Sequence, residues 1–361
     1  MSARRRPIAA ASAALTACSL LLAVTAARAA AAKPAPPAKP ASVKPAAARP
    51  AAQAGSIPAR PGKLRFPPLS FTVPKAEAYR HVLANGVTVY LVEDHTLPVV
   101  DVELQSRLGS FLDPAGKVGV AEMTGTMLRQ GGAGDWTAEQ LDERADFLAA
   151  ELGSETGDTS GGASVNCLAS ALDDCLDLLF TMVQRPRFQT DRLDVAKSNL
   201  TEEMKQRNDQ AEEIQGREWQ WLLYGTEHFT SRLPTAASLA AISRDDLVAF
   251  HRDYWRPENL VVAVAGDVQP AAFLAKLEQR FAGWPAGKGA PVPWPPPPPR
   301  STPTPGLYHV EKDIPQARVT MGHLGTQWDA QWSDPHAYAA LVMNDILGGG
   351  GFTSHIPKRI R

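Results

Sequence analysis

Glu122, Gly125 and Thr126 stand at positions i, i+3 and i+4 of the stretch GVAEMTGTMLRQGG, residues 119–132. On a helix these three positions share one face. It is the spacing of H-x-x-E-H, in which two imidazoles grip a zinc ion and the glutamate between them activates a water. Here a glutamate and a threonine fill the imidazole places, and a glycine fills the carboxylate place. Thr126 is a poor zinc ligand and Gly125 has no chemistry to offer. No two of the eight histidines lie within four residues of each other, so the sequence supplies no local replacement. Gly125 also costs the helix roughly 1 kcal/mol against alanine. The face therefore reads as one that lacks a metal site and on which little constrains the residues. Glu122 reads as a solvated helix carboxylate, and so does Glu203 in NLTEEMKQ.

The elements that must position these residues follow from periodicity and punctuation. On a helical wheel Val120, Ala121, Thr124, Met127 and Leu128 cluster on one face, nearly opposite Glu122, Gly125 and Thr126. Asn85-Gly86 marks a turn before the strand-like VTVYLV, and VVDVELQSRLGS alternates as a further strand. TAEQLDERADFLAAEL predicts a helix with Thr137 as N-cap and Gln140 at the capping-box position. The strand-like GGASVNCLAS is followed by helices near 170–184 and 190–215 and another after Ser243. NLVVAVAGDV (259–268) predicts a buried strand, and PAAFLAKLEQRFAGW a closing helix. Interleaved helices and strands with antiparallel-type turns give an α+β or mixed α/β class.

Charge is unevenly spread along the 361 residues. The first acidic residue is Glu77, and residues 1–76 hold 12 Lys/Arg, which leaves 25 of the 37 basic residues against all 38 acidic ones. An acidic body behind a basic tail argues against a nucleic-acid-binding core. Arg4, Arg5 and Arg6 ahead of an apolar stretch form an export signal, with cleavage after Ala29 in ARA, lipidation at Cys18 in LTAC, or a retained anchor as the alternatives. Cys167 and Cys175 are a disulfide or two small buried apolar groups. Residues 1–29 thus read as signal peptide, 30–75 as an Ala/Pro-rich disordered tether, 76–285 as a first domain and 286–305 as a Pro-rich linker. Within that linker PVPWPPPPPRSTPTP would reach roughly 45 Å as polyproline II, at about 3.1 Å per residue. YHVEKDIPQARVTMGHLGT (308–326) repeats the order of YLVEDHTLPVVDVELQSRLGS (90–110), and a helix with Asp334 as N-cap follows. Residues 306–361 therefore read as the start of a second copy, cut short.

Several blocks in order carry a family resemblance: LANGVTVYLVEDHTLPVV, LGSFLDPAGKVGVAEMTGTMLRQGG, FHRDYWRPENLVVAVAGDV and LGGGGFTSHIPKRIR. Residues from about 78 to 361 resemble the pitrilysin/insulinase family of inverted-motif zinc peptidases, in a non-catalytic form with a degenerate motif. The resemblance implies repeated mixed α/β domains and places Glu122, Gly125 and Thr126 at the H-x-x-E-H positions. It places the family's third metal ligand, a glutamate 77 residues further on, at Glu203. It implies an arginine in contact with substrate at Arg361, a flexible loop at Gly348–Gly351, and a peptide-binding sheet edge around Ser154–Ser160. Non-catalytic members pair with a zinc-bearing sister subunit and close a chamber around a peptide.

The expected function is an exported, periplasmic or secreted, peptide-binding partner of an active zinc peptidase. It has no catalytic residue or cofactor of its own, and the zinc sits in the partner. No nucleic acid is expected, and membrane contact only through lipidation at Cys18. The rival readings are a structural scaffold without a peptide role and an autonomous zinc endopeptidase with atypical ligands.

Overall fold

The computed structural model describes residues 74–284, 287, 291–297, 304–323 and 335–360. Six strands make one mixed sheet: β1 (Arg80–Val82), β2 (Thr88–Glu93), β3 (Val99–Ser106), β4 (Glu151–Thr156), β5 (Gly161–Leu168) and β6 (Leu260–Gly266), in the order β1-β2-β6-β3-β5-β4. β6 lies parallel to β2 and antiparallel to β3. The remaining neighbours are antiparallel, so β4 is an outer strand paired only with β5. Gly86 turns the chain between β1 and β2 at φ +89°, a conformation that glycine adopts without strain.

Burial alternates along the strands. In β3, Val100, Val102 and Leu104 are buried while Asp101 and Gln105 are exposed, and β6 buries Leu260, Val262 and Val264. One face of the sheet thus packs on helices, and the other carries exposed residues such as Tyr90, Val92 and Val261. The helices are α1 (Val120–Gln130), α2 (Ala138–Phe147), α3 (Leu172–Gln184), α4 (Thr190–Gln206), α5 (Ala211–Tyr224), α6 (Ala236–Ala241), α7 (Arg244–Tyr254) and α8 (Pro270–Ala282). The capping box of Thr137 and Gln140 opens α2 as expected, and Ser243 with Asp246 makes another at α7. α3 and α8 meet through Phe180 and Phe281, whose rings stand edge to face 5.1 Å apart. Cys167 on β5 and Cys175 on α3 are free thiols, buried in this core.

Three expectations change. The helix read over 190–215 is two helices broken at 207–210, where Asn208 and Asp209 favour a turn over helix. The Pro-rich connector is more than a spacer. Val292 is buried, Arg107 donates 2.7 Å to its carbonyl, and the same guanidinium lies 4.0 Å from the Trp294 ring centroid. The stretch 308–326, which repeats the residue order of 90–110, forms no strand in its described part, 308–323, and has no neighbouring strand there among the described residues. That segment runs exposed beside α5: Lys312 donates to the Asn208 carbonyl, Arg318 pairs with Glu212, and Gly322 approaches Trp219. The expected helix follows as α9 (Pro335–Asn344), then a π turn at Asp345–Gly349 and α10 (His355–Ile360). Leu341, Val342 and Ile346 are 44 %, 59 % and 54 % exposed. Residues 1–29, Cys18, Asp334 and Arg361 lie outside the described residues.

Candidate functional site

The motif helix α1 starts from Gly119, whose φ of +107° keeps that residue out of the helix. No side chain of the N-cap satisfies the first turn. The buried Asp113 does so from the preceding loop, accepting 2.8 Å bonds from the backbone N–H of Gly119 and of Ala121. Burial raises the Asp113 pKa in spite of these bonds, and Arg232, which also donates to the Ser110 carbonyl, acts in the opposite direction. Thr124 is fully buried and returns its hydroxyl to the Val120 carbonyl at 2.7 Å. An Asp two residues after LGSF and ahead of a helix is a signal that local reading can find, but at seven residues before Val120 it stands outside the usual cap positions.

Glu122 is exposed at the surface of α1, as expected, yet it is not an independent solvated carboxylate. Loss of hydration raises its pKa first, and the charges of Glu203, Asp113 and Asp158 raise it further. The fold therefore brings Glu122 and Glu203 into one acidic neighbourhood, with α4 packed against α1. Thr126 is half-buried beside them and Arg361 lies outside the described residues.

Gly125 overturns the expectation that little constrains this face. It is buried, not turned to solvent with Glu122. A Cβ built on it would stand 2.8 Å from the backbone N of Thr156 on β4 and closer still to the Thr156 hydroxyl. The Ser154 hydroxyl donates 2.7 Å to the Gly125 carbonyl. The glycine is thus the condition for β4 to seat on α1, and the wheel placed it on an open face because it counts only one packing partner.

β4 is also the strand expected around Ser154–Ser160, displaced by three residues: the strand is Glu151–Thr156, and 157–160 form the tip of a hairpin with β5. Gly157 N–H donates 2.9 Å to Ser160 O, so hydrogen-bonded pairs alternate inward from that point. Residues 151, 153 and 155 then bond to β5, while Leu152, Ser154 and Thr156 turn their backbone groups to the outer edge. The Leu152 carbonyl agrees: it accepts 2.8 Å from Nε of Arg129, at the end of α1. The hairpin tip is tied down in turn, with Ser110 N–H on the Gly157 carbonyl and the Ser110 hydroxyl on Asp158.

With this geometry in view, the comparisons are specific about class. The family Peptidase M16 inactive domain matches residues 241–361, from α7 onward. An uncharacterized zinc protease of Mycobacterium leprae is 27 % identical over 229 residues, covering 62 % of this chain and 50 % of that protein. A non-peptidase homolog of Helicobacter pylori is 24 % identical over 294 residues, covering 80 % of this chain and 65 % of that one. The crystal structure of a peptidase M16 inactive domain from Pseudomonas fluorescens superposes with a TM-score of 0.65 at 24 % identity, over 78 % of this chain and 67 % of that one. Residues 241–361 thus match an inactive-type M16 peptidase domain, and the chain is similar to relatives named as zinc proteases and as a non-peptidase homolog, in line with the pitrilysin/insulinase resemblance of its sequence blocks. It spans about half the length of the mycobacterial relatives it matches.

The zinc that active members of the family carry does not fit these residues. A catalytic zinc takes three protein ligands and an open position. Two carboxylates, Glu122 and Glu203, meet here, and Gly125 has no room for the glutamate that would work beside the metal. Among the described residues no group of three His, Cys, Asp or Glu side chains is placed to hold a metal ion.

Proposed function

We propose that this protein is an exported, non-catalytic M16 subunit that binds extended peptide and completes the chamber of a zinc-bearing sister subunit. The observation that carries the reading is Gly125. An M16 fold whose motif helix has closed against β4 through a glycine has no place for metal-activated water, so peptide hydrolysis must be supplied by another chain. What α1 and β4 retain is a strand edge with outward backbone groups at Leu152, Ser154 and Thr156, the chemistry by which a sheet takes up an extended peptide. The acidic neighbourhood of Glu122, Glu203, Asp113 and Asp158 favours peptides that carry positive charge. Export rests on the Arg4–Arg6 segment and the apolar stretch after it.

The test is purification of the tagged full chain from its native cell envelope. The expected result is a second subunit, identified by mass spectrometry, that carries H-x-x-E-H. The pair should cleave peptide in a chelator-sensitive way, while the chain alone binds less than one equivalent of zinc. Stoichiometric zinc in the isolated chain, lost in Glu203→Ala, would establish the autonomous peptidase instead. A stable complex without any peptidase subunit would establish the scaffold.

A further inference from the structure

We infer that Arg129 is a latch on the outer edge of β4, which an incoming peptide strand must displace. The inference rests on the peptide-binding reading of that edge and concerns its regulation. Arg129 is the second-last residue of α1, on the helix-covered side of the sheet. Its guanidinium makes two contacts that pull it to the margin: Nε donates to the Leu152 carbonyl at 2.8 Å, and Nη1 pairs with Asp142 of α2. Arg129 also lines a hollow of about 690 Å³ with Asp101, Glu103, Ser164 and Asn166, residues that alternate with the buried ones and so belong to the opposite face. A side chain that starts on one face and borders a hollow on the other passes around the strand edge.

The carbonyl it holds is one that strand addition needs. Leu152 belongs to the outward-facing set, and an added strand pairs with those groups in turn. At the other end of β4, the Thr156 main chain lies close to Gly125 and the Ser154 hydroxyl donates to the Gly125 carbonyl, contacts that keep β4 in place when Arg129 moves. The Leu152 end is held by one side chain only. Arg129 is 25 % exposed and Asp142 52 % exposed, so this ion pair is partly hydrated and releases more readily than a buried one. The pair with Asp142 is made in the same position as the bond to Leu152, so it helps to hold the guanidinium at the edge. The edge therefore opens from Leu152 toward Thr156, and the fork geometry of arginine, which satisfies a carbonyl and a carboxylate at once, is what closes it.

The experiment uses the full chain and a capped, neutral hexapeptide of alternating threonine and valine carrying a coumarin, with binding read by fluorescence anisotropy. Arg129→Ala should bind at least fivefold more tightly than the parent. Arg129→Lys keeps the charge and the aliphatic stem but cannot hold both partners, so it should move in the same direction by a smaller factor. Asp142→Ala leaves α1 and β4 untouched and should also tighten binding. Equal affinity in all four proteins overturns the latch and leaves the peptide-binding reading standing. Absence of binding in all four overturns both. Weaker binding in Arg129→Ala and Arg129→Lys, with circular dichroism unchanged, overturns the latch by making Arg129 a contact for the peptide.

Discussion

Replacing Gly125 by alanine tests whether β4 is seated on α1. Helix propensity alone favours the change by up to about 1 kcal/mol. Packing opposes it, because the new methyl would stand 2.8 Å from the Thr156 backbone N and nearer to its hydroxyl. The hydroxyl can rotate away but the backbone nitrogen cannot, so β4 has to move. Moving it stretches the 2.7 Å bond from Ser154 to the Gly125 carbonyl. Overpacking of this kind costs roughly 1–3 kcal/mol, so the net expectation for Gly125→Ala is a loss of about 1–2 kcal/mol. For a domain of this size that corresponds to a fall in Tm of roughly 2–8 °C. Gly216 provides the internal control, since it sits in the middle of α5 with nothing within 4 Å of its would-be Cβ. Gly216→Ala keeps the propensity gain without the clash and should stabilise by up to about 1 kcal/mol. Urea and thermal unfolding of the two variants read the difference directly. Gly125→Ala as stable as Gly216→Ala would refute the close approach, and with it the argument that the motif helix has no room for a glutamate.

Glu122→Gln should be more stable than the parent at pH 7.5 and lose that advantage toward pH 4. The folded-state pKa of Glu122 is raised from its ordinary 4.5, so its contribution is intact below that value and is lost as pH rises through the folded pKa; urea midpoints that do not diverge with pH would contradict this. Cys167, whose thiol burial and the adjacent Cys175 push up to about 12, should resist a thiol reagent at pH 8 in the folded protein, together with Cys175, and react once guanidinium unfolds the domain. Rapid labelling of either residue in peptide maps of the native protein would show that the core around them opens. Glu122→His with Thr126→His, Gly125 being kept, should bring two imidazoles to Glu203 and bind zinc in calorimetry. Adding Gly125→Glu to that pair should lower the Tm further, and an unchanged Tm would count against the closure of β4.

Local signals made most of the domain legible in advance. The Asn85-Gly86 turn, the Thr137 capping box and the alternation in VVDVELQS each depend on residues a few positions apart, and each appears where it was read. The same holds for β6, whose apolar run is long enough to specify a buried strand. The candidate site was legible as a set of residues but not as an environment. Gly125 reads as loss of function in a helix, while its actual partner, Thr156, is 31 positions away on a strand whose approach no periodicity encodes. Arg129 likewise gave no sign of its hold on Leu152, because a wheel shows where a side chain leaves the helix and not what it reaches. The segment 304–323 failed in the opposite direction. Its 308–323 part repeats the residue order of a stretch that forms strands, but a strand forms only against another, and no such neighbour stands beside it among the described residues.

The position of β6 sets the order in which the chain can be built. It is the last strand in sequence among the described residues, yet it lies between β2 and β3, bonded along its length to both. Until residue 266 has been synthesised, the β1–β2 hairpin and the three-stranded β3–β5–β4 unit have no shared ladder and remain separate pieces with open inner edges. Joining them requires pairs such as Thr88 with Val261, a contact of long sequence separation that makes folding slow relative to a helical domain of similar size. During that interval the edges of β2 and β3 are available to other chains, which is the circumstance in which sheets misassemble. A nascent chain of this protein that is halted within α7 would therefore be helical in part but without a completed sheet, and release of a few dozen further residues would close the domain in one step.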